Sequence, residues 1–275
     1  MINRSQLKFH ETFQPELAYV SKLLSLADQQ FAGDKYQISE ITGIPTGKQK
    51  GKVEPHIKYA AYMGLLSFEF EKGIYALGLT EIGREVYLQD PYLHENLTKW
   101  MCHYGISRKD FGAPQWYYIV HEGHSGFYRE DTSEFHLSRA NTLFSSNVSF
   151  EEMFGVVKRS YSEGCFSTIN YLSWDEKVSY RPHSYNPELL YVYALSILKS
   201  WDFFFPEKKE ITVDDLTQYI EPGKVFNLSE EEIDCILDEM AYEGIVSINR
   251  QLFPATIIRT SEERELQPKL YSRLL

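Results

Sequence analysis

The chain has 275 residues, of which 43% are hydrophobic, 24% charged and 15% aromatic. That composition excludes a disordered chain, and no apolar run approaches the roughly 18–20 residues that span a bilayer, so no membrane partner is expected. The net charge is −11, from 28 basic and 39 acidic side chains, which taken alone opposes a polyanionic partner.

The N-terminal stretch MINRSQLKFHETF lacks an apolar h-region, so no secretory signal is read and a cytoplasmic location is expected. His10-Glu11-Thr12-Phe13 follows. A His beside a carboxylate suits metal or acid–base chemistry. Neighbouring residues point apart, however, and a latch bonded to backbone is the plainer reading. Leu17, Val20, Leu23, Leu24 and Ala27 then recur at helical spacing over residues 15–28. A short helix is expected over 37–43, with Ser39 as cap and Gly43 as stop. A third is expected over 53–65, with Pro55 in its first turn, where the missing N–H is tolerated.

Two alternating runs, LLSFEF and IYALGL, come next, joined by Glu71-Lys72-Gly73. That pattern predicts a β-hairpin. Thr80 then caps a further helix. Three helices and a hairpin are the order of a winged helix, whose third helix is the reading helix. A Lys-rich loop, Thr46-Gly47-Lys48-Gln49-Lys50-Gly51-Lys52, enters that helix. Residues 41–60 carry Lys48, Lys50, Lys52 and Lys58 against Glu54 alone. Helix N-termini and lysines both favour anions, so Thr46, Lys48, Lys50 and Lys52 are expected on phosphate. His56 and Lys58, one turn on, are expected at base edges or phosphates. Gly43-x-x-x-Gly47-Lys48 is no P-loop: that motif needs four residues between its glycines and Ser or Thr after the lysine.

Residues 91–206 read as a central helical region. Within it, NPELLYVYALSILKSWDFFF is strongly apolar and is expected as the core helix against which both flanking units pack. His121-Glu122-Gly123-His124 has the wrong spacing for a helical zinc site, which sets its two His four apart. A metal-assisted nuclease is the open alternative, since His124, Glu122, Glu130 and Asp131 lie close in sequence. On that reading His121, Glu122 and His124 are the catalytic candidates and Mg or Mn the cofactor. No metal ligand set is otherwise read. Cys102, Cys165 and Cys235 lie far apart, so reduced thiols are expected rather than a disulfide or zinc framework.

From about Ile211 the plan repeats. ITVDDLTQYI and LSEEEIDCILDEMAYEGIV read as helices, the second capped by Ser229 with Glu232 completing a capping box. IVSI and ATIIRT read as strands. Residues 207–243 hold twelve acidic and three basic side chains, so this second winged-helix pattern is expected to contact protein rather than DNA. The fold class is therefore mainly α with small β hairpins (α+β). The expected domains are 1–90, a DNA-binding winged helix; 91–206, central and helical; and 207–275, a second winged-helix-like unit.

Three blocks, KFHETFQPELAYVSKLL, GIPTGKQKGKVEPHIKYAAYMGLL and LTEIGREVYLQDPYLHENLTKWMCHY, resemble the family labelled domain of unknown function 4007. That family is associated with bacterial DNA phosphorothioation and anti-phage modification, and one branch is similar to the subunit of the Ssp system described as a DNA nickase. The resemblance implies double-stranded DNA as partner, together with other modification or defence subunits. It also places His10, Glu11, Lys48, Lys52, Glu54, His56 and Lys58 in family-typical blocks. The leading expectation is a DNA-binding protein that recruits such a system. The alternatives are a metal-dependent nickase and an interaction scaffold whose acidic face at 230–239 meets a basic subunit. Two winged units of opposite charge would also suit a homodimer.

Overall fold

The computed structural model describes residues 4–127, 129–251 and 253–274. Its contacts group the chain into two units, Met1–Ser179 and Tyr180–Leu275. Both are mainly helical, and each small antiparallel sheet has three strands.

The first unit opens with helix α1 (Arg4–Leu7). A turn follows in which Glu11 and Thr12 both take positive φ, 48° and 73°. Helix α2 (Leu17–Asp28) buries Val20, Leu23, Leu24 and Ala27 of the predicted stripe, while Leu17 at its start is only partly buried. Strand β1 (Ala32–Gly33) separates it from helix α3 (Lys35–Thr42). Asp34, not Ser39, caps α3: its carboxylate accepts from the Tyr36 and Gln37 N–H groups, and Gln37 bonds back to complete the box. Asp34 prevails because it sits one residue outside the helix, where a side-chain oxygen meets unpaired N–H groups. Ser39 is inside the helix and donates to the Ile44 carbonyl instead. Gly43 ends the helix at φ 69°, as a residue without Cβ can.

Helix α4 (Val53–Tyr62) is shorter than predicted because Gly64, at φ 77°, turns the chain into the hairpin. Strands β2 (Leu66–Glu71) and β3 (Ile74–Leu79) pair in register, Leu66 opposite Leu79 and Glu71 opposite Ile74. Lys72 and Gly73 form the two-residue loop, both at positive φ, the backbone twist that a tight hairpin needs. β1 joins the open side of β3, giving the order β1-β3-β2. Helix α5 (Glu81–Gln89) starts on the Thr80 hydroxyl, which accepts from the Gly83 N–H at 2.9 Å.

Helices α6 (Asn96–Ser107) and α7 (Pro114–Tyr117) follow, the latter running into a π-turn at Tyr118–Glu122. Strand β4 (Asp131–Thr132), helix α8 (Ser133–Leu143), helix α9 (Val156–Ser162) and strands β5 (Leu172–Trp174) and β6 (Lys177–Tyr180) complete this stretch. The sheet β4-β6-β5 was not expected from the sequence; strands of two to four residues carry too little alternation to be read.

In the second unit, α10 (Leu190–Phe204) is the apolar helix assigned by sequence to the central region. Strand β7 (Glu210–Thr212) precedes the short helix α11 (Val213–Asp215), so ITVDDLTQYI is not one helix but a strand, a capped turn and a π-turn. Thr212 and Asp215 form the capping box that starts it. Helices α12 (Pro222–Phe226) and α13 (Glu230–Tyr242) lead to strands β8 (Val246–Asn249) and β9 (Thr256–Arg259), in the order β7-β9-β8. Helix α14 (Glu263–Leu266) ends the series. Ser229 caps α13 as predicted, accepting from the Glu232 N–H at 3.3 Å. The box is left half made, because the Glu232 carboxylate accepts from the Tyr185 backbone instead. The three cysteines are free.

Candidate functional site

The loop between α3 and α4 closes on itself. The Pro45 carbonyl accepts from the Lys52 N–H at 2.7 Å. A Cβ on Gly51 would stand 2.4 Å from the Thr46 hydroxyl, so the closure requires glycine there. Thr46 thereby has its hydroxyl buried inside the loop, without a hydrogen-bond partner. Lys48, Gln49 and Lys50 form the exposed tip. Lys48 and Lys50 make no ion pair among the described residues.

Lys52 is placed differently. Its ammonium pairs with Glu16 at 2.7 Å and lies over the rings of Phe13 and Tyr19. The bond to Glu16 raises its pKa above the ordinary lysine value. His56 is fully buried. Its Nε2 accepts from the Glu16 N–H at 3.1 Å, and its Nδ1 lies 2.6 Å from the Lys52 carbonyl. Burial pushes its pKa down. From that place it fastens the chain at Glu16 to α4 and reaches no external base. Lys58 is half-buried on a stripe with Glu54 and Tyr62. Burial opposes charge on Glu54, yet hydrogen bonds from Tyr75 (2.8 Å) and Lys35 (3.0 Å) hold its pKa below the usual value, with Lys58 nearby adding to the effect.

No residue of α4 is exposed. The segment before α2 covers it: Phe9 packs on Tyr59 and Tyr62, each at 4.9 Å between ring centroids, and the Tyr59 hydroxyl donates to the Phe13 carbonyl at 2.8 Å. The His10–Phe13 turn is thus a latch. His10 is buried, its Nδ1 accepts from the Thr12 N–H at 3.0 Å, and burial lowers its pKa to about 4.

His121, Glu122 and His124 do not converge. His121 is buried, with Nε2 3.1 Å from the Ser107 carbonyl. Glu122 accepts from the Tyr117 hydroxyl at 2.8 Å. The His124 Nδ1 accepts from the Gly126 N–H, and its ring meets Phe127. Among the described residues, no group of three or more His, Cys, Asp or Glu is placed to hold a metal ion.

A different polar group lies beside them, in which Asp131, already noted in the sequence, acts on His136, which no sequence pattern singled out. His136 is fully buried, its Nδ1 lies 3.3 Å from the Tyr118 hydroxyl, and its Nε2 has no hydrogen-bond partner. Burial lowers its pKa to about 4, against the opposing charge of Asp131. Asp131 is also buried; one carboxylate oxygen accepts from Arg129 at 3.0 Å and the other is unpartnered. Burial raises Tyr118 to about 12. His136 sits in SEFHLSRA, an ordinary helical stretch with no spacing that singles it out.

No family model and no curated protein matches this chain. No helix among the described residues is long and apolar enough to cross a membrane. Among solved structures, the chain is similar to the magnesium ion-bound crystal structure of SspB, with a TM-score of 0.73 and 16% identity over 96% of this chain and 87% of that one. A second SspB crystal structure gives a TM-score of 0.70 at the same identity and coverage. At this identity the likeness is one of architecture, and it extends over nearly the whole chain: the protein has the fold of SspB.

Proposed function

We propose that the protein binds duplex DNA through the loop entering α4, as a component of a bacterial DNA phosphorothioation or anti-phage modification system. Residues 17–89 are read as a winged helix and 190–266 as a second one. The carrying observation is that Lys48 and Lys50 stand exposed and without ion pairs at the tip of a closed loop. The fold likeness to SspB and the three family-like sequence blocks supply the setting. Because α4 is covered, contact falls on phosphates first; such contacts position a protein without reading sequence. Lys52 serves mainly by holding the loop to Glu16, so it belongs in no test of phosphate contact.

The test is duplex binding by fluorescence anisotropy across a salt titration, wild type against Lys48→Gln/Lys50→Gln. Each lysine that neutralises a phosphate adds about one unit to the salt slope. The double variant is expected to lose about two units, and an unchanged slope would overturn the reading.

A second reading, DNA nicking, is favoured by the unspent hydrogen-bonding capacity of Asp131 and His136. Buried polar groups normally find partners, and two such orphans, with the Asp131 charge acting on His136, suit a place where a substrate or ion completes the set. Conversion of supercoiled plasmid to open circle with Mg²⁺ or Mn²⁺, lost in Asp131→Asn, is the expected result. Absence of nicking with DNA binding intact would refute it.

A further inference from the structure

Outside the basic loop, the first unit holds a cleft of about 460 Å³ between α2 and the segment Asp90–Lys99. That volume lies within the range of small-molecule sites. Its wall is built rather than incidental. The buried Asp90 carboxylate accepts from the His94 N–H, the Glu95 N–H and the Thr98 hydroxyl, at 2.9, 2.9 and 2.6 Å. The Ser21 hydroxyl ties the Pro91 carbonyl to α2 at 2.7 Å. Leu93 is held at φ 55° with its side chain buried, a conformation that a branched residue adopts only when its surroundings impose it.

The lining is cationic and aromatic. Lys22, Lys99, His94 and Tyr92 are among the residues that line the cleft, and no carboxylate lines it. Neither ammonium makes an ion pair among the described residues. Tyr92 is 69% exposed, and its ring contacts that of His94. Tyr19 links the cleft to the loop, since the Lys22 and Lys52 ammonium groups lie 5.8 and 5.3 Å from its ring centroid.

We propose that this cleft is a nucleotide site, in which Lys22 and Lys99 take the phosphate of a nucleoside monophosphate unit and Tyr92 takes its base by stacking. Two lysines in a lining without a carboxylate suit a phosphate, and an exposed ring in the same lining suits a base of any identity. The floor of Leu17, Ala18 and Leu93 suits the uncharged part of the ligand. The unit comes either from a free mononucleotide or from a nucleic-acid strand running on from the loop.

Isothermal titration of the full chain with thymidine 5′-monophosphate tests the site, with thymidine and inorganic phosphate as controls. Saturable binding of the monophosphate is expected, weakened at least about tenfold in Lys22→Gln/Lys99→Gln. Tyr92→Ala is expected to weaken the monophosphate while leaving inorganic phosphate unchanged. Tighter binding of a short single-stranded oligothymidylate than of the monophosphate would assign the site to a strand, and the reverse order to a free nucleotide; both support it. No saturation in the wild type, or equal affinity in the double-lysine variant, overturns it. Lys48→Gln/Lys50→Gln keeps the monophosphate site, so loss of duplex binding there leaves this inference standing.

Discussion

In the first unit, α4 ends at Gly64 and the hairpin returns to Thr80, whose hydroxyl donates to the Gly64 carbonyl at 2.6 Å and whose N–H donates to the Leu65 carbonyl at 3.1 Å. In the second, α13 ends at Gly244 and the hairpin returns to Thr260, which makes the same two bonds, to Gly244 at 2.8 Å and to Ile245 at 3.1 Å. Both glycines take positive φ, 77° and 71°, and both sheets place a short early strand beside the last strand of the hairpin. The difference lies in what each helix shows to solvent. α4 has no fully exposed residue, only the half-buried stripe Glu54, Lys58 and Tyr62, whereas α13 exposes Glu230, Glu231, Asp234, Asp238 and Tyr242. The helix behind the basic loop is the covered one and the acidic helix the open one. Shared element order therefore does not transfer the reading role from one helix to another. In the first unit, the cations available to a duplex stand on the loop before the helix.

Acid should separate the two regions most. His10, His56 and His136, each held below its ordinary pKa by burial, all lie in the first unit. For His10 and His136 the folded value is about 4 against 6.5 unfolded. Below pH 6.5 the unfolded chain takes up protons that the folded chain refuses. The stabilisation is complete above 6.5 and drains away as pH falls toward 4, on the order of 3 kcal/mol for each of these two groups. Scanning calorimetry from pH 7 to 4.5 should show the first unit's transition falling steeply. A flat profile would break this part of the comparison.

Three residues beyond the returning threonine stand Gly83 in one region and Glu263 in the other. A Cβ on Gly83 would fall 1.7 Å from the Leu65 carbonyl oxygen, whereas the Glu263 carboxylate reaches Lys199 at 2.8 Å. Gly83→Ala should therefore cost about 3 kcal/mol in urea unfolding, because backbone must move. Glu263→Ala should cost only about 1, the worth of a partly screened pair. Equal costs would show that the two helix starts are packed alike.

Much of this architecture was legible. The stripe of α2, the Lys72-Gly73 turn, the caps Thr80 and Ser229 and both hairpins rest on neighbours a few residues apart, where periodicity and turn chemistry act. The environment of α4 was not legible. Its cover comes from Phe9 and Phe13, and its entry lysine is bound by Glu16, 36 residues away in sequence. No local pattern records a contact of that span. His56 carried the same ambiguity: beside lysines it suggests a groove contact, and only the approach of the Glu16 N–H makes it a fastening. Asp131 was named in the sequence among the acidic residues near His124, but its neighbour His136 was missed because it comes from an unremarkable helix.

The threonine bonds offer a finer test. Thr80 both donates to Gly64 and accepts from the Gly83 N–H, so Thr80→Val removes a stitch and a helix cap, about 2 kcal/mol together. Thr260→Val removes the stitch alone, since α14 starts from Glu262, and should cost about 1 kcal/mol.

The smallest effect concerns the acidic face. Glu232, Asp238 and Glu239 are engaged, by the Tyr185 N–H, Arg250 and Arg273 respectively. Glu230, Glu231 and Asp234 are exposed and make no ion pair among the described residues. Glu230 and Glu231 also occupy the first turn of α13, where a carboxylate gains a few tenths of a kcal/mol from the helix dipole. Mutual repulsion among the three offsets that gain. Glu230→Gln/Glu231→Gln/Asp234→Asn should thus shift stability by no more than about 0.5 kcal/mol in urea unfolding. A larger loss would mean that the face is held by contacts inside the second unit. A shift within that bound would mean that its charge is not needed for folding, which leaves it available to a basic partner.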